Sequence, residues 1–285
     1  LVILCFELLF NAGLCNTLLQ TETSYFNYFE YQNYFESNKK IVNQIQELDN
    51  SEYRMEKNYR RRENEGLSLD YQGISMFSSS YNAFFHDFLK KTGMVAGDKL
   101  AWYEGSTLVM DSLLNIKYLL LKNDTHSAYQ KMFNDNDVTV YQNPYTFGYG
   151  TLISVPKKDV DIFSFGNPFE LQNEIVNVLS GNSEKIFDSV SGNLQLVNLK
   201  MTSDGSYQKV NNEKEAYFEC QIPNIEGDIL YAYLPIESGE VKKVLINGIQ
   251  TSGKLGYNYK IYNLNSKIDS EINKFRVYLK TDMLS

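Results

Sequence analysis

The first nineteen residues, LVILCFELLFNAGLCNTLL, carry fourteen apolar side chains and a single charge, Glu7. That run is close to the length a helix needs to cross a bilayer core. Because it is apolar nearly all round, it predicts the end of a membrane-spanning helix; a buried core helix is the alternative. A secretory signal would bring a basic leader, and no Lys or Arg precedes Lys39. Glu7 and Asn11 are four apart and share one helix face, which predicts that this face meets other protein or a water-filled cavity, Glu7 pointing at neighbouring helices. The next stretch interleaves Tyr25, Phe26, Tyr28, Phe29, Tyr31, Tyr34 and Phe35 with polar residues. Aromatic rings with polar tips gather where membrane meets water, and the same stripe also suits a helix packed on the domain that follows.

Farther along, apolar positions 41, 42, 45 and 48 give a helical period, and residues 52–58 alternate like a strand. The run YQGISMFSSSYNAFFHDFLKKTG (71–93) predicts a strand, a serine cluster and a helix from about Tyr81 closed by Gly93, with Ser79 or Ser80 as its N-cap. STLVMDSLLNIKYLLLKND (106–124) predicts a short helix entering a buried strand over 116–121. VTVYQNPYTFGYGTLISV (138–155) predicts strand, Asn-Pro turn, strand. NPFELQNEIVNVLSG (167–181) is a helix with Pro168 in its first turn and Gly181 after its end.

From about Ile186 the helical period gives way to short alternating runs: LQLVNLKM, AYFECQIP, DILYAYLPI, KKVLING, YKIYNL and FRVYLKT. Asn247-Gly248 predicts a two-residue hairpin turn. The pattern predicts a mixed α+β chain. Residues 1–20 are the end of a transmembrane helix, 21–182 an α/β domain, and 183–285 a jelly-roll-like β-sandwich, truncated where the chain stops at DMLS.

Composition narrows the chemistry. The 285 residues carry 27 basic and 35 acidic side chains, a net charge of −8, which argues against nucleic acid as a partner. Two histidines and three cysteines make no zinc-ligand cluster and no disulfide framework, so no metal or cofactor is expected. The 22 Tyr and 17 Phe favour β-structure and surfaces that stack on sugars or lipid headgroups. No G-x-S-x-G, P-loop, G-x-G-x-x-G, H-E-x-x-H or EF-hand loop occurs. His86 lies in an amphipathic helix and reads as packed or solvated rather than catalytic, and His126 lies in a polar loop. A triad of Ser78, His86 and Asp87 falls within one turn region and is rejected. Ser78, Ser79 and Ser80 before Asn82 offer hydroxyls and helix N-terminal amides to a phosphate, or simply cap the helix. Trp102 and Tyr103, in the Gly-flanked run GDKLAWYEGS, would stack on a sugar ring or cover a domain edge. Asp70, Glu104 and Asp111 have no partner legible from spacing, because a carboxylate pair is a separation in space.

Four runs in order, GISMFSSSYN (73–82), DSLLNIKYLL (111–120), VYQNPY (140–145) and NPFELQNEIVNVLSG (167–181), resemble the YfhO family of bacterial membrane proteins. Glu7 to Asn11 and Tyr53-Arg54 resemble the final helix and first strand of the same arrangement. Asn115 stands where the family pattern has Gly, a mild change because Asn also tolerates positive φ. PYTFGYG lacks the Leu-Pro that usually follows. The resemblance is close over residues 1–182 and loose beyond.

It implies a protein that is multi-pass in the cell membrane and looks like a GT-C-type glycosyltransferase. Such an enzyme moves a sugar from a polyprenyl-phosphate carrier to a cell-envelope polymer such as lipoteichoic acid. This region would be extracytoplasmic, with the catalytic acid in an earlier outer loop outside it, and its partners would be membrane lipid, the carrier-linked sugar and envelope glycan. Substrate contacts would then fall to Arg54 for phosphate, Ser78, Ser79 and Asn82 for hydrogen bonding, and Trp102 with Tyr103 for stacking. A competing reading is a non-catalytic surface module that binds envelope carbohydrate or a protein partner through its sandwich.

Overall fold

A computed structural model describes residues 2–22, 27–97, 99–153, 159–203, 206–235, 240–251, 260–265, 271–280 and 283–284. Tyr25 and Phe26 lie outside the described residues. The chain divides into two compact units, residues 1–50 and 51–285.

The first unit is two helices. α1 (Val2–Glu22) contains an 18-residue window, Val2–Leu19, of mean hydropathy 1.8 with none of it buried. It is long and apolar enough to cross a membrane. α2 (Tyr28–Leu48) starts at Asn27, whose side chain accepts a hydrogen bond from the Phe29 amide at 2.9 Å. Its buried stripe is Asn38, Ile41, Val42 and Ile45, while Tyr28 and Phe29 are exposed. The helical period expected over 41–48 is the last part of this longer element.

The first half of the second unit runs β1 (Arg54–Lys57), α3 (Glu65–Leu69), β2 (Met76–Phe77), α4 (Ala83–Lys91), β3 (Val95–Gly97), β4 (Leu100–Trp102), α5 (Leu108–Leu113), β5 (Ile116–Lys122), β6 (Gln130–Asp135), β7 (Val138–Gln142) and α6 (Pro168–Ser180). A mixed sheet has the order β1-β5-β7-β6, with β1 parallel to β5 and the other pairs antiparallel. A second, small sheet has the order β2-β4-β3. Leu89 of α4, Ala101 of β4, Met110 of α5 and Ile116, Leu119 and Leu121 of β5 share one core.

Local chemistry explains where these elements start. Asn115 sits at φ 55 immediately before β5, the left-handed conformation that Gly or Asn adopts, and its amide donates to the Glu52 carbonyl at 2.9 Å. α6 has Pro168 at its first turn and Gly181 at φ 72 beyond its end, as the sequence predicts.

Three expectations are corrected here. The cap of α4 is Asn82, not Ser79 or Ser80: its Oδ1 accepts from the Phe85 amide at 3.0 Å, while Ser80 turns back so that its amide donates to Ser78 Oγ at 3.2 Å. The strand expected after Asn143-Pro144 does not form over 145–153, where Gly148 at φ 78 breaks the extended run. β7 pairs instead with β6, whose polar sequence QKMFND hid it. Trp102 lies on β4 and not in a loop.

The regular elements among the described residues of the second half are all strands: β8 (Asn193–Val197), β9 (Leu199–Met201), β10 (Tyr207–Lys209), β11 (Tyr217–Pro223), β12 (Tyr231–Leu234), β13 (Val241–Ile246), β14 (Ile249–Gln250), β15 (Lys260–Asn263), β16 (Ile272–Leu279) and β17 (Met283–Leu284). Five form an antiparallel sheet of order β14-β13-β16-β11-β8, and β12 pairs with β15 as a separate ribbon. Leu234 of β12 and Tyr262 of β15 share a core with Val244 and Ile246 of β13 and Phe275 and Val277 of β16. Alternate residues of these strands therefore face one shared core. Asn247 at φ 51 and Gly248 at φ 82 make the hairpin turn between β13 and β14 that the sequence predicts.

The two halves keep separate cores inside one unit and meet closely at two glycines. The Ile261 amide donates to the Gly93 carbonyl at 2.9 Å. Gly105, at φ 80, is packed so that an added Cβ would lie 2.9 Å from Lys260 Cβ and closer still to the Gly93 oxygen. A residue without Cβ at this positive φ lets three backbone segments converge there.

Candidate functional site

A cleft of about 150 Å³ opens beside that junction. Its wall includes Tyr103, Glu104 and Ser106 after β4, His126 after β5, and Lys260 and Tyr262 of β15. The volume is well below the several hundred Å³ of a drug-sized pocket and suits a group on the scale of one sugar ring or a phosphate.

Glu104 organises the polar wall. Its Oε1 takes Arg60 Nη2 at 2.7 Å and its Oε2 takes Lys260 Nζ at 2.6 Å, although Glu104 and Lys260 are 156 residues apart. The three side chains are 15%, 24% and 7% exposed for Glu104, Arg60 and Lys260. Arg60 also lies 4.1 Å from the centre of the Trp102 ring, so the cation covers one aromatic face while it pairs.

Behind the wall a buried network holds Tyr103 and Ser106 in place. Asp111 accepts from Tyr103 and Tyr129 hydroxyls at 2.8 and 2.5 Å on Oδ2 and from Ser106 Oγ at 2.5 Å on Oδ1. Burial pushes its carboxyl up to about 6, against the downward pull of those three donors. The Tyr103 amide donates to Ser75 Oγ at 2.9 Å, and Ser75 Oγ donates to Glu56 Oε2 at 2.8 Å. Glu56 is buried, which raises its carboxyl above the usual range, and it also accepts the Ile74 and Ser75 amides. Gly73 completes this cradle, since an added Cβ would stand 2.7 Å from Glu56 Oε1. The GIS of the serine-rich run is thus a carboxylate holder.

Asp111 gives a pH prediction. Its folded value lies above the ordinary 3.8, so between about pH 4 and 6 the folded chain holds a proton that the unfolded chain has released. The stabilisation is complete below the unfolded value and is lost as pH rises through about 6, on the order of 3 kcal/mol. Glu56 acts in the same direction. In detergent-solubilised chain the melting temperature should fall between pH 4.5 and 7.5, and Asp111→Asn should flatten that slope. Identical slopes in both proteins would remove Asp111 as its source.

His126 completes the cleft. Its ring stacks on Tyr129 with centroids 3.7 Å apart, its Nδ1 has no hydrogen-bond partner, and burial lowers it to about 4. It is therefore neutral at pH 7 and offers hydrogen bonding, not charge. A neutral imidazole beside a paired carboxylate and ammonium suits the holding of hydroxyl or phosphate oxygens rather than proton transfer.

The other motif residues act inside the fold. Gln172 accepts from Thr107 Oγ1 at 2.6 Å and donates to the Thr92 carbonyl at 2.8 Å, tying α6 to the start of α5 and the end of α4. Asn173 accepts the Ile186 and Phe187 amides, both at 2.9 Å. His86 is buried with Nδ1 2.6 Å from the Gly97 carbonyl, so of the two roles its helix allows, packed or solvated, it takes the packed one.

Of the six substrate contacts expected from the sequence, Tyr103 lines the cleft; Glu104 and His126, noted there without such a role, stand in its wall as well. The Tyr103 hydroxyl is engaged by Asp111. Trp102 is 1% exposed, so the stacking role on a sugar expected of it is corrected: its ring is a core member with Arg60 on one face. Arg54 is half-buried on β1, donating Nη1 to the Leu114 carbonyl at 2.5 Å and lying 4.8 Å from the Tyr149 ring centre. Ser78, Ser79 and Asn82 share the loop before α4; Ser79 and Asn82 are exposed, and none of the three shares a contact with Arg54. The sequence reading missed Lys260 and the pairing of Glu104. His126 lies in the loop after β5, as the sequence expects, and is half-buried there. A hint lay in Glu104 and Gly105 standing together, but no spacing rule reaches across 156 residues.

A family model described as bacterial membrane protein YfhO matches residues 1–285. No curated protein and no solved structure matches the chain.

Proposed function

The chain belongs to the YfhO family of bacterial membrane proteins, and from that premise we propose that it is the extracytoplasmic portion of a multi-pass glycosyltransferase. In this reading the whole protein moves a sugar from a polyprenyl-phosphate carrier to a cell-envelope polymer such as lipoteichoic acid. The observation that carries the reading is the family match running through an apolar, wholly exposed span, Val2–Leu19, into a large folded unit. Residues 21–182 serve as its α/β domain and 183–285 as its sandwich.

The cleft beside Glu104 and Lys260 takes the sugar or its phosphate, with His126 and Tyr103 on the wall. Its size supports one ring, and its paired charges support a hydroxylated group. Arg54, Ser78, Ser79 and Asn82 are the polar candidates outside the cleft, Arg54 for phosphate and the others for hydroxyls. The chemistry of transfer rests on an acid elsewhere in the protein, and this portion holds and orients.

The test is complementation of a strain that lacks the full-length protein, reading the glycosyl content of lipoteichoic acid by NMR. The content should be lost without the gene, return with it, and return less completely with His126→Phe or Arg54→Ala at equal membrane expression. Glycosyl content unchanged by deletion would overturn the transferase reading and leave a binding module in its place.

A further inference from the structure

Residues 143–153 leave β7 and pair with no strand, yet their backbone is pinned. Asn143, fully buried, donates its side chain to the Ile116 carbonyl at 3.3 Å and accepts the Tyr145 amide at 2.9 Å. The Phe147 amide reaches the Ser112 carbonyl at 3.4 Å, and Thr151 Oγ1 donates to the Phe147 carbonyl at 2.7 Å. Tyr149 donates its hydroxyl to Gln72 Oε1 at 2.5 Å.

From this held loop the apolar groups face outward. Tyr145 is 57% exposed, Phe147 56%, Leu152 102% and Ile153 50%. The stretch Tyr145–Ile153 contains no charge, and the next charged side chains in the sequence are Lys157 and Lys158. An exposed apolar patch of this kind marks an interaction surface. The mixture is specific: tyrosines with polar tips beside Phe, Leu and Ile is the composition that settles at a bilayer boundary, rings and aliphatics below the headgroups. The occupant is also at hand, because the chain carries its own apolar span and is thereby kept at a bilayer.

We propose that the loop Tyr145–Ile153 inserts its apolar side chains into a lipid bilayer surface, as a second attachment independent of the membrane span. This goes beyond the transferase reading, and the test does not measure sugar transfer, so each can fail alone.

The full chain, with Cys5, Cys15 and Cys220 replaced by Ser, is labelled with a nitroxide at Leu152→Cys or, as reference, at Val210→Cys. It is reconstituted in vesicles of phosphatidylethanolamine and phosphatidylglycerol. Leu152 is more exposed than Val210, which is 65% exposed, so water contact alone makes position 152 the more open to an aqueous nickel chelate. Insertion reverses that order: at 152 collisions with the chelate fall several-fold below those at 210 while collisions with oxygen rise. A label at 152 as open to the chelate as that at 210 would overturn the proposal. Loss of both chelate and oxygen access would also overturn it, since that is the signature of burial against protein.

Discussion

Glu104→Ala is expected to cost about 3–5 kcal/mol of stability, the range for removing one partner of a buried ion pair. The loss does not come from the attraction itself but from what is left behind: Lys260, 7% exposed, and Arg60 would both face a wall without a carboxylate. A partly exposed Arg60 places the figure toward the lower end. Replacing Glu104 and Lys260 together by Met should recover much of the loss, because no uncompensated ammonium then remains in the junction. Glu215, paired with Lys242 where both side chains are about half exposed, is the control and should leave stability unchanged on substitution by Ala. Urea unfolding of the detergent-solubilised chain reads all three. Equal midpoints for Glu104→Ala and Glu215→Ala would show that the ion triad does not hold the halves together.

Gly105→Ala is expected to be nearly as damaging, about 3 kcal/mol, through two causes that can be separated. A side chain at φ 80 carries backbone strain of roughly 1 kcal/mol or more, and the added methyl would also crowd the Gly93 oxygen and Lys260 Cβ, an overpacking cost of about 1–3 kcal/mol. Gly148 has nearly the same φ, 78, with nothing within 4 Å of a Cβ. Gly148→Ala therefore reports the backbone strain alone, and the difference between the two variants is the junction's packing. If the two unfold at the same urea concentration, the three segments at Gly93, Gly105 and Ile261 separate more easily than their spacing indicates. The same contact bears on the cleft, since Gly105 stands in its wall and sets how near Lys260 comes to Glu104.

These junction residues show where sequence reading reaches its end. Asn115 could be placed at positive φ from its neighbours alone, and the α6 boundaries follow from Pro168 and Gly181, because a backbone preference acts over a few residues. Asn82 and Ser80 compete for the same cap within three positions, and local preference does not rank two good N-cap types; the start of the helix does. The alternation after Asn143 reads as a strand, but a strand needs a neighbour, and the available edge of β7 is taken by β6. Trp102 looks open because glycines flank it, whereas the pairing of β4 between β2 and β3 turns it inward.

By itself the sequence determined the apolar span at Val2–Leu19, the change from mixed elements to strands, the Asn247-Gly248 hairpin and the motifs that mark the family. The first three rest on composition or on local periodicity, where sterics and hydrophobicity act without reference to the rest of the chain, and the motifs rest on their resemblance to the family. Only the tertiary structure decided that Glu104 faces Lys260, that Asp111 gathers three hydroxyls, and that the motif Gly73-Ile74-Ser75 cradles Glu56. Those contacts join residues 5 to 156 positions apart, and their energies depend on burial and on the distance between groups, two quantities that exist only once the chain has closed around them.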